Sequence, residues 1–340
     1  MAATARRDGA AGPGPAPRAG WLGAVLPLAL ATLAAGPAAA QTVYVSNERG
    51  ASVSVIDARE GRVTATWPVG RRPRGLALSP DGRHLYVVAS DDNAIQVVDR
   101  ATGRVERSLA AGESPEQIAL STDGRLAFVS NERDNQVSAI ELATGRILFQ
   151  AATGEEPEGM VASPDGRFVI ATSETDHKAH WIDLATRQEV AAVPVGERPR
   201  HAEFTPDGRE LWVTGEIGAN LTVIDAASRA VLATIGFDPP GARPGQVLPV
   251  GLRFTPDGRE ALVALGRADS VAIIDTARRA VVAYVPVGRR VWHLALSPDG
   301  RRAFTADGVS DTVSVIDVPA RSAVAQIKVG RSPWGVAVAP

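Results

Sequence analysis

Short apolar runs separated by polar turns fill the chain from residue 42 onward. In the stretch 74–112, a small apolar run (75–78) leads into Ser79-Pro80-Asp81-Gly82, a turn in which Pro presets one φ and Gly accepts a positive one. A second run (85–89), a polar turn at Ser90-Asp91-Asp92-Asn93, a third run (95–98) and a turn opening at Asp99 precede a fourth segment, 105–109. These lengths and turns predict a four-stranded antiparallel meander. The second and third runs are apolar at nearly every position, so both of their faces are expected to be covered. The first run is rich in Gly, Ala and Leu, whereas the fourth segment carries Arg104, Glu106 and Arg107. Crowding near an axis favours small residues and a rim tolerates charge, which places the first strand innermost and the fourth outermost.

This unit recurs. Ile/Val-Asp/Glu pairs close the third run at Ile56-Asp57, Val98-Asp99, Ile140-Glu141, Ile182-Asp183, Ile224-Asp225, Ile274-Asp275 and Ile316-Asp317, at intervals of 42, 42, 42, 42, 50 and 42 residues. A Ser/Thr-Pro/Thr-Asp-Gly-Arg turn keeps the same phase, at 79–83, 121–125, 163–167, 205–209, 255–259 and 297–301. A period near 40 with strand-like segments signals a β-propeller. The chain begins on a second-type strand, Val43-Tyr44-Val45-Ser46, and ends on a first-type strand, Trp334-Gly335-Val336-Ala337-Val338. Each strand type then occurs seven times, so an all-β, seven-bladed ring is expected, closed by the C-terminal strand joining the N-terminal blade. The aspartates of the pairs are read as Asx-turn acceptors rather than as catalysts. Gly61, Gly103 and Gly145 give way to Arg187, Arg229, Arg279 and Arg321 in later repeats. Those turns must either hold an arginine at positive φ or change type.

The first 40 residues stand outside the repeat. Arg6, Arg7 and Arg18 precede an apolar run from Trp21 to Leu33, and Ala38-Ala39-Ala40 offers a small-residue cleavage site, so 1–40 reads as a secretory signal peptide and 41–340 as one propeller domain. The run is shorter than the roughly 20 residues of a spanning helix, and no membrane span is expected after cleavage. Arg6-Arg7 is not followed by the rest of a twin-arginine motif. Without 1–40 the chain carries 33 basic and 37 acidic residues, a net charge of −4, which disfavours nucleic acid and anionic membrane as partners. The absence of cysteine removes disulfides, thiolate metal sites and a Cys nucleophile. The expected location is therefore periplasmic or secreted.

Candidate chemistry lies where the repeat is broken. The Ser-Pro-Asp-Gly and Ile-Asp turns share one side of the ring and are monotonous; the loops between second and third strands and the crossings between blades share the other and vary. On the variable side the inner strands open with Arg74, Glu116, Glu158, Arg200, Val250, Trp292 and Trp334, followed by Gly75, Gln117, Gly159, His201, Gly251, His293 and Gly335. Arg74, Glu116, Glu158, Arg200, His201, Trp292, His293 and Trp334 form the candidate ligand-binding set at one mouth of the axial channel. Guanidinium binds carboxylate and indole offers a stacking face, which suits a small anionic or planar ligand. The alternative is that Arg and Glu pair with each other there while Trp packs between blades. Glu48, Glu132, Glu174 and Glu216 occupy equivalent loop positions, an arrangement compatible with Ca²⁺ or with plain solvated turns. His177 and His180 fall at a loop and a strand start, which argues against zinc. No Ser-His-Asp order or phosphate-binding glycine run stands out. The 50-residue interval adds a segment at 237–248, a lid, a docking loop or a tolerated insertion.

Tyr44-Val45-Ser46-Asn47 and the repeated Ser-Pro-Asp-Gly and Val-Ile-Asp elements resemble the YVTN family of β-propellers. The phrases Arg72-Pro73-Arg74-Gly75, Glu156-Pro157-Glu158-Gly159-Met160, Arg198-Pro199-Arg200-His201, Gly215-Glu216-Ile217-Gly218, Val291-Trp292 and Gly330-Arg331-Ser332-Pro333-Trp334-Gly335 resemble PQQ-dependent catabolism-associated β-propeller proteins. That resemblance implies a non-catalytic periplasmic accessory or binding protein for alcohol oxidation by quinoprotein dehydrogenases, which use pyrroloquinoline quinone (PQQ). The implied partner is such a dehydrogenase or its cytochrome, or a small anionic ligand; PQQ, planar and tricarboxylate, is chemically compatible. The resemblance supplies no catalytic residues. A lactonase-like hydrolase using the mouth carboxylates with His201 or His293, and a cell-envelope interaction platform, are the alternative expectations.

Overall fold

Among the described residues, 28 strands form seven four-stranded antiparallel sheets. The computed structural model describes Gly9, Gly12, Gly14 and residues 41–339; apart from those three glycines, the segment read as a signal peptide lies outside the described residues. Blades 2 to 7 occupy residues 73–110, 115–152, 157–194, 199–236, 252–286 and 291–328. Blade 1 unites Thr42–Asn47, Ser52–Asp57 and Arg62–Pro68 with the last strand, Pro333–Ala339. That strand pairs antiparallel with the first, Thr42 opposite Ala339 and Val45 opposite Val336. The ends of the ring are thereby tied, and no strand edge is left open between them.

The burial of the strands follows their radial order. Second and third strands are buried almost throughout, as in His84–Ala89 and Ala94–Asp99, whereas the outer strand Val105–Ala110 buries only Leu109. Apolar clusters draw on adjacent blades: Val43, Val45 and Ile56 of blade 1 pack with Phe304, Val313 and Ile327 of blade 7. In every blade the pairing of third and outer strand slips by one residue beside the Ile/Val of the repeated pair. A bulge at this place increases local twist, which a fan-shaped blade requires. Among the described residues no helix is long and apolar enough to cross a membrane.

The pair aspartates sit in Asx turns. Asp57 Oδ1 accepts from the backbone N–H of Arg59 at 2.8 Å and Glu60 at 2.9 Å; Asp183 repeats both bonds, and Asp225, Asp275 and Asp317 keep the one from the N–H three residues on. Where arginine replaces glycine, both anticipated outcomes occur. All four arginines keep positive φ, between 50° and 63°. Arg187 and Arg229 retain the i→i−4 bond to Asp183 and Asp225, as Gly61 does to Asp57, while Arg279 and Arg321 bond instead to Thr276 and Val318, three residues back.

Candidate functional site

The inner strands meet at the channel mouth through small residues alternating with large ones: Gly75, Gln117, Gly159, His201, Gly251, His293, Gly335, with Gly335 next to Gly75. The glycines are there for close approach. A Cβ on Gly251 would stand 2.7 Å from the Cα of His293, and one on Gly335 would stand 2.6 Å from the carbonyl oxygen of Arg74. No real Cβ tolerates that distance from backbone, so each glycine makes room for its neighbour's inner strand.

Four of the candidate residues join one buried ion-pair network. Arg74 lies 3.1 Å from Glu116, 3.8 Å from Glu158 and 3.3 Å from Glu48. Arg200 contacts Glu174 and lies 3.4 Å from Glu158 and 3.1 Å from Glu216. Glu158 thus bridges the two arginines. Arg72 reaches Glu116 at 2.8 Å, Arg198 reaches Glu174 at 2.5 Å, and Arg290 reaches Glu216 at 2.7 Å. With Glu132, which Ser114 Oγ holds at 2.8 Å, six carboxyls face five guanidiniums. The imbalance falls on Glu116, fully buried: burial and the neighbouring Glu158 carboxylate push its pKa up to about 8 despite Arg74 and Arg72. A proton on Glu116 leaves five charges of each sign. Around Arg74, burial opposes the charge, but Glu116, Glu158 and Glu48 outweigh it and raise its pKa.

Deeper in the channel the two histidines meet edge to face, ring centroids 5.6 Å apart. Burial, reinforced by Arg253, holds His201 below the usual imidazole range against the opposing pull of Glu203. Burial, then His201 and Arg253, hold His293 well below it. Both are therefore neutral at pH 7. Arg253 Nη1 lies 2.6 Å from His201 Nε2 and 2.6 Å from Glu203 Oε2, and that carboxylate oxygen is itself 3.2 Å from Nε2, so a donor and an acceptor both face this nitrogen while Nδ1 is buried without a partner. From blade 3, Gln117 reaches across to His293 at 3.4 Å. Trp334 is fully buried, its ring covered by Arg74 at 4.7 Å and His293 at 4.3 Å.

Trp292 borders the ion-pair network on the same face, with the Arg200 guanidinium 5.6 Å from its ring centroid. It is only partly buried and carries the Arg290 guanidinium at 3.8 Å over its ring. It lines a cavity of about 730 Å³ centred on blade 7, together with Arg49, Arg267, Arg289, Arg290 and Arg331 and with the carboxylates Glu48, Asp269 and Asp311. Among the described residues, Arg49, Arg267, Arg289 and Arg331 have no carboxylate within ion-pair distance, and all four are exposed. Arg290 Nη1 is buried without an acceptor. The structure thus adds five arginines that the inner-strand positions did not single out. Their signal was the residue pair ahead of each inner strand, Arg289-Arg290 and Arg331-Ser332, and the loop tips Arg49 and Arg267.

The remaining expectations resolve locally. Glu48, Glu174 and Glu216 pair with arginines, so the charge that Ca²⁺ would require is already compensated. Among the described residues no group of three or more His, Asp or Glu is placed to hold a metal. His177 Nδ1 accepts from the Arg198 N–H at 3.1 Å and His180 Nδ1 contacts Glu189 at 2.8 Å, separate partners that leave no shared zinc site. The insertion crosses on the variable side: Tyr284 Oη accepts from Asp238 N–H at 2.7 Å, and Val247 bridges to Gly266.

Comparison with known proteins bears on the fold first. The profile of the family "Lactonase, 7-bladed beta-propeller" matches residues 182–329, and that of "Outer membrane protein assembly factor BamB" matches residues 26–109. No curated protein matches the chain. Kuenenia stuttgartiensis hydrazine synthase is similar over 82% of this chain and 92% of that chain, with 26% identity and a TM-score of 0.75. A putative 6-phosphogluconolactonase from Bacteroides uniformis is similar over 88% and 99%, with 20% identity and a TM-score of 0.73. The chain is a seven-bladed β-propeller, and it carries matches to lactonase-type and BamB-type propeller families over separate parts of its length.

Proposed function

We propose that the protein is a non-catalytic, exported binding protein that holds a small polycarboxylate ligand in the cavity beside Trp292. One observation carries the reading: four arginines free of carboxylate partners surround a cavity whose wall also offers the unaccepted Nη1 of Arg290. Guanidinium groups without ion-pair partners attract a multiply charged anion and bind its carboxylates in bidentate fashion, and the three carboxylates of the cavity wall are engaged elsewhere: Glu48 by Arg72 and Arg74, Asp269 by the Arg290 N–H, and Asp311 by the Ser332 N–H and Lys328. In this reading Trp292 is the contact residue among the sequence candidates, while Arg74, Glu116, Glu158 and Arg200 form the rigid floor that fixes Arg290 through Glu216. His201, His293 and Trp334 hold the channel beneath.

The YVTN-like and PQQ-catabolism-like phrases supply the setting: a periplasmic accessory to quinoprotein alcohol oxidation, with a quinoprotein dehydrogenase or its cytochrome as partner. PQQ fits the donor set, because its three carboxylates match separated arginines. Dialysed protein titrated with PQQ should show heat and quenching of Trp fluorescence, both lost in Arg289→Ala/Arg331→Ala. Absence of any response in the unaltered protein refutes the ligand assignment.

A second reading is favoured by the lactonase-profile match, which spans His201, Glu203, Arg253 and His293. A neutral His201 oriented by Arg253 is a competent base in principle. Turnover of a lactone panel that disappears in His201→Ala or His293→Ala would establish it; inactivity across the panel, with and without Ca²⁺, removes it.

A further inference from the structure

The charge on the variable face is divided by sector. From the blade 6 loop through blades 7 and 1 to the crossing at 69–72, the exposed charged residues of the loops and crossings are Arg49, Arg71, Arg267, Arg289 and Arg331, while the acids there, Glu48, Asp269 and Asp311, are partly buried. From the blade 2 loop to the blade 5 loop the exposed charged residues are Asp91, Asp92, Glu113, Glu155, Glu156 and Glu197, against Arg133 and Arg198. Two landmarks separate the arcs. One is the Arg71–Asp92 ion pair, at 2.7 Å, and the other is the insertion at 237–248.

We propose that this face docks on the same face of a second copy of the chain. A two-fold axis lying in the plane of the face, along the line between those landmarks, places each basic arc on the partner's acidic arc. No other in-plane axis does so, because rotation about the perpendicular line sets like charge on like. The polarity therefore selects both the partner and the orientation: an isologous, ring-on-ring dimer with the two channel mouths facing each other. Like-charge contact in any other orientation disfavours alternatives. The face is self-complementary in charge although the chain as a whole is acidic, which favours a copy over a uniformly charged partner.

Sedimentation velocity at about 20 mM and about 0.5 M salt tests this, since exposed charges are screened within a few ångströms at the higher value. A dimer is expected at low salt and a monomer at high salt. Arg289→Glu/Arg331→Glu makes the face largely acidic, and Glu155→Arg/Glu156→Arg makes it largely basic; each variant alone should remain monomeric at low salt. Mixed in equal amounts, the two should form a heterodimer. Circular dichroism and melting confirm that each variant folds, because none of the four side chains has an ion-pair partner in the ring. A monomer at low salt, a dimer indifferent to either reversal, or no association on mixing overturns the proposal. In the dimer the partner's Glu155 and Glu156 would compete with PQQ for Arg289 and Arg331, so the monomeric Glu155→Arg/Glu156→Arg should keep or strengthen the PQQ response; association without a PQQ response, or a PQQ response without association, separates failure of one reading from failure of the other.

Discussion

Glu116→Gln is the substitution whose stabilising effect should grow with pH. In the folded ring burial and Glu158 raise the Glu116 pKa from 4.5 to about 8, while the unfolded chain has no reason to depart from the ordinary value. Between those limits the folded state binds the extra proton, so stability falls as pH rises and the loss is complete above the folded pKa. At about 1.4 kcal/mol per pH unit, climbing from pH 6 to beyond pH 8 costs on the order of 3 kcal/mol. Glutamine has the shape of the protonated acid and cannot ionise. At about pH 4 the variant should match the parent within about 1 kcal/mol, because Arg72 still finds an acceptor oxygen, and by pH 6, where Glu116 of the unfolded chain has ionised, it should already be ahead by about 2 kcal/mol. Near pH 9 it should be the more stable protein by roughly 4–5 kcal/mol, because five arginines then face five glutamates without a surplus buried charge. Urea unfolding at pH 4, 6, 7, 8 and 9 measures the difference, and subtracting the two proteins removes every other titrating group. Parallel curves, or a variant destabilised equally at both extremes, would refute the assignment of the extra proton to Glu116.

Three further outcomes follow from the ring geometry. Deleting residues 333–339 leaves blade 1 with three strands and removes fully buried Trp334; a loss on the order of 5 kcal/mol and aggregation are expected, and unchanged melting with unchanged solubility would contradict strand closure. Gly335→Ala, whose Cβ meets backbone at 2.6 Å, should cost about 1–3 kcal/mol, whereas Gly236→Ala, with nothing within 4 Å, should stay within about 0.5 kcal/mol. Arg187→Gly releases an arginine held at φ 62° and should raise the melting temperature slightly, by the equivalent of under about 1 kcal/mol; a fall would mean that the Arg187 contact with Phe149 outweighs the backbone strain.

The ring was legible because its signals are local and periodic. Pro-Asp-Gly turns and Ile-Asp pairs act through residues a few places away, so their spacing survives in one dimension, and the strand census at the two ends required closure. The channel mouth was legible for the same reason: Arg74, Glu116, Glu158 and Arg200 occupy one register position in four blades, and register fixes where a side chain emerges. Which of them pair and which stay free depends on distances between loops from different blades. Glu216 belongs to blade 5, yet it takes Arg290 ahead of blade 7, leaving Arg289 beside it unpaired. The cavity at Trp292 arises from such leftovers. Its arginines lie in loops whose positions relative to one another are set by the closed ring, and no periodicity announces which charge goes unmatched.

Small and large residues alternate around the channel in a two-letter pattern laid on a circle of seven. An odd circle cannot carry such a pattern without one like pair, as a ring of alternating spins with an odd number of sites must hold one frustrated bond. A Cβ at either glycine of the like pair would stand 3.0 Å or less from the neighbouring strand's backbone, so the pair is small, and it is Gly335 beside Gly75. Parity, rather than any local need, thus dictates a glycine–glycine contact somewhere on the circle. It falls at the blade that holds both chain ends, yet it belongs to the circle: a circular permutant opened at another blade would carry the pair with it, away from its new termini.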